Sequence, residues 1–376
     1  MAEPEVLDTD RLMGNPQTKV VVCCGSGGVG KTTTAAALAL RAAEKHGRRT
    51  VVLTIDPARR LAQSLGLEEL DNTPRRVEKV VDGSLDAMML DMKRTFDEVV
   101  SSHTTPEQAE EIFTNPFYQA MSGTFAGTQE YMAMEKLAQL RAEDEWDLIV
   151  VDTPPSRSAL DFLDAPARLA RFLDGRMLRL LTAPSRGGHS MFSLMTSSMS
   201  FFTRAINKVI GGRMLSDIAT FAASLDSTFG GFRTRAEATF RALQDQQTAF
   251  LVVASPAPDA IREAVYFTRR LTEERMPLAG LILNRSHTIK AAGLSAERAL
   301  GAAEGLDAAD HPGPTADVLR VHARLVSQVE TERRIAMRYT VACPEVPQAR
   351  VPAFAADVHD LEDLRSVAEA LINQSS

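Results

Sequence analysis

KVVVCCGSGGVGKTTTAAALAL, residues 19–40, runs from an apolar strand through a glycine-rich turn into an alanine-rich helix. Gly25 to Thr32 fits the spacing GxxxxGK[ST], and the flanking strand and helix are the context that gives this spacing its meaning. Glycines at 25, 27, 28 and 30 let the main chain curl and turn its N–H groups toward phosphate oxygens. The run Gly25, Ser26, Gly27, Gly28, Val29, Gly30, Lys31, Thr32 and Thr33 is therefore the expected nucleotide cradle. The positive end of the helix that opens near Lys31 adds to the attraction. Lys31 is expected to hold the β- and γ-phosphates, the Thr32 hydroxyl to ligate Mg²⁺, and Thr33 to touch the α-phosphate of the nucleotide.

Two carboxylates lie at the ends of other apolar runs. DLIVVDTPP places Asp152 where it can bind the metal directly or through water, the alternative being a helix-capping aspartate. LTIDPARRLAQSL ends a second strand at Asp56, ahead of a helix begun by Pro57. A carboxylate there could orient the attacking water or accept its proton, while its rival role is to cap that helix.

Further strand candidates are TVVLTI (50–55), LDAMMLD (85–91), AFLVVAS (249–255), LAGLILN (278–284) and RYTVACP (338–344). Most lack polar alternation, as strands covered on both faces do. Segments of helical period lie between them, among them TTTAAALALRAAEKHG and PDAIREAVYFTRRLTEE. Alternation of this kind predicts an α/β fold, a doubly wound and mostly parallel sheet, in one domain over residues 1–376. Residues 92–145 and 165–245 read as helical insertions forming a client- or partner-binding subdomain. Residues 296–314, rich in Ala, Gly and Asp, read as a loose connection. No second cradle and no internal repeat is found.

With 42 Lys and Arg against 49 Asp and Glu, the chain carries a net charge of -7 and offers no broad basic surface for nucleic acid. Its N-terminus has no apolar run of the secretory kind, and it contains no apolar stretch long enough to span a bilayer. The chain reads as cytoplasmic. Its cysteines, Cys23, Cys24 and Cys343, read as buried small residues, and no CxxC exists to hold structural zinc.

GSGGVGKTT, IDPARRLAQSL and DTPPSRSALDFL together resemble the ArsA-type ATPases of the SIMIBI class of P-loop NTPases. That group includes arsenite-pump ATPases and the ATPases that target tail-anchored proteins. PDAIREAVYFTRRLTEERMPLAGLILNR and VPAFAADVHDLEDL are similar to later parts of the same family, with particular likeness to actinobacterial anion-transporter ATPases that occur as paired paralogues. The resemblance implies Mg²⁺-ATP hydrolysis by a dimer. It implies Asp56 as the switch I catalytic carboxylate and Asp152 as the first residue of switch II. It also implies Asn284 as a hydrogen-bond partner of adenine, with Pro352 and Phe354 lining the base. On residue chemistry alone, Asn284 reads equally as a turn residue after a strand.

Two departures from that pattern matter. Ser26 stands where the family usually has a lysine that reaches the partner's nucleotide, a contribution of the arginine-finger type worth about 10³–10⁵ in rate. Three readings follow: a lysine-bearing paralogue completes the site in a heterodimer; the chain is a homodimer in which Arg59 or Arg157 substitutes; or the chain binds ATP and turns it over weakly. In switch II, Arg157 and Ser158 replace a Gly and a His. Arg157 either restores the lost charge or is an exposed cation.

Too few cysteines exist for a soft-metal site, which argues against arsenite as cargo. Met191, Met195, Met199, Phe202, Ile206 and Val209 share one helix face, suited either to a hydrophobic helix client or membrane-protein partner or to ordinary core packing. The runner-up class is a ParA/MinD-like positioning ATPase, which shares DTPPS. DPA in switch I and the acidic balance stand against it. A third possibility is a nucleotide-dependent scaffold subunit.

Overall fold

The computed structural model describes residues 4–56, 60–115, 118–119, 128–154, 237–291, 293–308 and 313–373. Two compact units contain them. The first takes its residues from Met1–Met89, Glu143–Ala159 and Leu243–Ser376, and the second from Leu90–Ala142 and Leu160–Ala242.

In the first unit the chain enters through α1 (Thr9–Gly14), then β1 (Val20–Cys24), α2 (Lys31–His46), β2 (Arg49–Thr54) and α3 (Arg60–Ser64). β3 (Arg75–Arg76) and β4 (Ser84–Met89) follow. β5 (Leu148–Asp152) lies between the two stretches of the second unit, and β6 (Thr248–Ala254) follows the later one. Eight strands form one sheet. Counting forward to β7 (Leu278–Ser286) and β8 (Gln348–Pro352), the order is β3-β4-β2-β5-β1-β6-β7-β8. Every neighbour pair is parallel except β3–β4. β1, β5 and β6 are buried at every position, which explains their unbroken apolar runs: both faces of the sheet are covered.

The chain leaves β1 for β2, returns through β5 between them, and then crosses to β6 on the far side of β1. A change of direction of this kind opens a crevice at the carboxyl ends of the central strands, where ligands of open α/β sheets bind. Register brings those ends together, with Asp152 paired to both Cys23 and Thr54.

α2 lies close to the sheet because its inward residues are small, Ala35, Ala36, Ala37, Ala39, Ala42 and Ala43 all being fully buried. Arg48, just past its end, is buried as well. Its guanidinium donates to four carbonyls, those of Met13 at 2.8 Å, Asn15 at 3.2 Å, and Thr18 and Asp147 at 2.6 Å each.

Two expectations fail in this unit. Residues 338–344 form no strand. They close the 29-residue α9 (Pro314–Ala342) and its cap, with Ala336, Tyr339, Thr340 and Cys343 buried at helical spacing and Val341 exposed. The Tyr339 and Thr268 hydroxyls share a hydrogen bond of 2.7 Å that ties α9 to α7 (Pro258–Glu273). The true last strand is β8, whose Gln348 and Arg350 disguise it in the sequence. Likewise, residues 296–308 are not a loose connection. They form α8 (Ala296–Ala308), which buries Ala299 and Ala303 four residues apart, and Gly301 and Gly305 stand on open space where no side chain is needed. α10 (Leu361–Ile372) ends the described chain and is joined to α2 by Arg365 and Glu44.

The described part of the second unit is helical, in α4 (Met92–His103), α5 (Pro106–Thr114) and α6 (Thr128–Glu143), the last of which runs one residue beyond it. Thr105 and Gln108 make a reciprocal capping box at the start of α5. Tyr118 is buried, donates to Asp97 at 2.5 Å and meets Phe96 edge-on. The Met191, Met195, Met199, Phe202, Ile206 and Val209 face lies outside the described residues, as do Pro57, Arg59, Arg157 and Ser158. No helix among the described residues is long and apolar enough to cross a membrane.

Candidate functional site

The glycine-rich turn leaves β1 at Gly25, whose φ of +151° belongs to glycine and whose missing Cβ would lie 2.1 Å from the Val253 carbonyl oxygen of β6. The turn ends at Gly30, φ +93°, directly before α2. Lys31 opens the helix, buried, with its ammonium donating to the Ser26 carbonyl at 2.9 Å. Burial lowers its pKa, and the charge of Asp152 opposes that shift. Thr33 is half-buried on the same turn.

Asp152 is fully buried at the end of β5. Its Oδ2 accepts from the Thr32 hydroxyl at 2.7 Å and from the Thr54 hydroxyl at 2.9 Å. Its carboxylate thus takes the hydroxyls of the start of α2 and the end of β2. Burial pushes its pKa up to about 6, against the pull of those two hydroxyls and of Lys31. Thr153 fixes the strand end by donating to the Cys23 carbonyl at 2.9 Å.

Asp56 follows β2, half-buried. Its N–H donates to Thr54 Oγ at 3.2 Å, and its charge is felt by both Lys31 and Asp152. Asn284 is buried near the end of β7, and Pro352 ends the adjacent β8 with Ser286 as its register partner. Phe354 lies two residues beyond and is exposed. Gly25 to Thr33, Asp56, Asp152, Asn284 and Pro352 thus all sit at or just past the carboxyl ends of β1, β2, β5, β7 and β8. The sequence reading missed Thr54. The signal was a hydroxyl residue two positions before Asp56 at a strand end.

Among the described residues, three buried side-chain oxygens lack a hydrogen-bond partner: Ser26 Oγ, Thr34 Oγ1 and Asp152 Oδ1. All three lie in or next to this site, on the cradle, on the first turn of α2 and at the end of β5. Unpartnered buried oxygens are rare in folded proteins and mark a place where a ligand or ion completes the bonding. The donor set beside Asp152, carboxylate and hydroxyl oxygen with no nitrogen or sulfur, suits a hard divalent cation such as Mg²⁺. The Oδ1 without a partner leaves a carboxylate oxygen open beside the Thr32 hydroxyl, so the residues fit that ion.

Comparison with known proteins agrees with this geometry. A family-wide profile described as "Anion-transporting ATPase" matches residues 18–292. The chain is 30% identical over 175 residues to ATPase GET3 of Malassezia globosa, covering 46% of this chain and 49% of that protein. It is 24% identical over 274 residues to ATPase ASNA1 homolog 2 of Paramecium tetraurelia, covering 73% and 78%. It is 30% identical over 188 residues to a protein of Halobacterium salinarum named as an arsenical pump-driving ATPase, covering 48% of this chain and 28% of that one. The match therefore spans about half or less of the Malassezia and Halobacterium relatives. The bounds of the family match take in the phosphate cradle, both carboxylate-bearing strand ends and Asn284, and with well over half its length covered the chain belongs to the anion-transporting ATPase family.

Proposed function

We propose that this chain hydrolyses ATP with Mg²⁺ as one half of a dimer, and uses that cycle to open and close a helical surface for a hydrophobic client or membrane partner. The observation that carries the ATP and metal part is Asp152 Oδ1, buried and unpartnered beside the Thr32 hydroxyl and the Lys31 ammonium.

Main-chain N–H groups of the cradle and the start of α2 would grip the phosphates. Lys31, whose ammonium donates to the Ser26 carbonyl, would hold β- and γ-phosphate oxygens. Thr32 and Asp152 would hold Mg²⁺, which when bound supplies positive charge beside the phosphates. Asp56 would orient water toward the γ-phosphorus and take its proton as the bond to the β–γ bridging oxygen breaks, leaving ADP and phosphate. Asn284 and Pro352, with Phe354, would receive the base.

Ser26 makes the dimer part specific. Its side chain is short and uncharged, and its Oγ is buried, so it cannot reach a neighbour's nucleotide. We therefore favour a lysine-bearing paralogue as the partner, which completes the site on this chain. Phosphate release by the purified chain, alone and with the paralogue, tests this. Turnover should be slow alone and rise by about 10³-fold or more in the mixture. Fast turnover by the isolated chain would remove the heterodimer. For the client, a pull-down with Asp56→Asn, expected to hold the ATP-bound closed form, should recover the paralogue and an apolar helix. Recovery of neither would count against the transport or targeting role.

A further inference from the structure

Asn284 is expected to read adenine, yet both ends of its amide are already held by the chain's own backbone. Nδ2 donates to the Val29 carbonyl at 2.8 Å, a contact between residues 255 apart in sequence, and Oδ1 accepts the Arg285 N–H at 2.9 Å. The side chain is buried, so the bond to Val29 is shielded from competing water.

What that bond controls follows from peptide geometry. In a planar trans peptide the carbonyl and the next N–H point in opposite directions. Drawing the Val29 oxygen toward Asn284 therefore turns the Gly30 N–H away from Asn284. Gly30 is the residue directly before α2, where a main-chain N–H serves an anion. The approach is so close that a Cβ on Gly30 would lie 2.2 Å from Asn284 Nδ2 and push the amide off the Val29 carbonyl, at a residue whose φ of +93° already favours glycine. A primary amide has two N–H donors and an oxygen with two lone pairs. One of each is committed here, and one of each remains, the pair that an adenine edge can take.

From this we infer that Asn284 is a positioning residue for the phosphate site, and that it couples occupancy of the base site to the grip on the phosphates through the Val29–Gly30 peptide. The inference rests on the nucleotide reading of the site and deepens it. It makes the ligand class a nucleoside triphosphate whose base and phosphates are sensed by a single side chain.

The test uses a probe with phosphates and no base. Binding of inorganic tripolyphosphate and of ATP is measured by calorimetry for the full chain and for Asn284→Ala and Asn284→Leu. The leucine keeps the volume, removes the donor and adds no charge, so it carries the test should the alanine variant not fold. Tripolyphosphate affinity is expected to fall by about 3- to 10-fold in either variant, the worth of one shielded hydrogen bond, and ATP affinity to fall further. Unchanged tripolyphosphate affinity with weakened ATP binding would overturn the inference and leave Asn284 as a base reader alone. Wild-type chain that binds neither probe would instead overturn the nucleotide reading on which the inference stands.

Discussion

The Thr54 hydroxyl lies 2.9 Å from Asp152 Oδ2 and accepts the Asp56 N–H at 3.2 Å, so one side chain joins the two carboxylate-bearing segments of the site. It sits at the end of β2, in register with Asp152 on β5. Thr32 reaches the same carboxylate oxygen from the cradle. A change on any of the three segments is thus felt by the other two through a shared oxygen.

Thr54→Val keeps the shape and removes the hydroxyl. It should lower kcat by about 10-fold or more, since a buried charged acceptor loses a donor worth about 1.5–3 kcal/mol. The pH–rate profile should move upward on its acid side, because the Thr54 hydrogen bond pulls the Asp152 pKa down and its loss lets burial raise it further. Thr54→Ser should restore both. A valine variant with wild-type kcat and an unmoved profile would show that the hydroxyl merely fills space.

Much of this arrangement is legible in the amino-acid order, and what is not has a common cause. Gly25 to Thr32 can be read because a main chain that curls around phosphate demands glycine at fixed places. β1, β5 and β6 can be read because a doubly covered strand must be apolar throughout. β8 cannot, since it carries Gln348 and Arg350 and is bordered by β7 on one side and by only a single bridge to Val6 on the other, while the apolar run before it belongs to the end of α9. The Ala-rich stretch at 296–308 looked like a linker because its glycines hid a four-residue alanine repeat. Thr54 and the bond from Asn284 to Val29 are pairings across 98 and 255 residues, and no local pattern announces them.

Asp152 ties stability to pH in the nucleotide-free chain. Its pKa rises from 3.8 to about 6 on folding, mainly through burial. For an acid raised in this way, its contribution to stability is fully present below about pH 4 and is lost as pH climbs through about 6. The loss amounts to about 3 kcal/mol at pH 8, at about 1.4 kcal/mol per unit. Asp152→Asn should therefore melt higher than wild type at pH 8 in chelator, and added Mg²⁺ should raise the wild-type melting temperature alone. Scanning calorimetry at pH 5 and pH 8 reads both. A variant that melts lower at pH 8 would contradict the account of a buried, uncompensated charge.

Arg48 holds the opposite end of the sheet. Four carbonyls, from α1, from the approach to β1 and from the residue before β5, converge on one guanidinium. Lysine cannot serve four acceptors in that planar spread, and the bonds to the Met13 and Thr18 carbonyls are buried, so an acceptor left there finds no water. Arg48→Lys should cost about 2–4 kcal/mol in urea unfolding with an unchanged m-value. Equal stability would mean that water reaches those carbonyls.

The central claim is that a glycine cradle, Lys31 and the Thr32–Asp152 pair together bind ATP through a divalent ion. Calorimetric titration of ATP into the purified chain, with Mg²⁺ and then with chelator, tests it most directly. The account requires tight binding with the metal, a clear loss of affinity without it, and an Asp152→Asn variant in which the two conditions differ little. No heat of association with nucleotide and metal together, or one affinity in both conditions for the wild type, would contradict it.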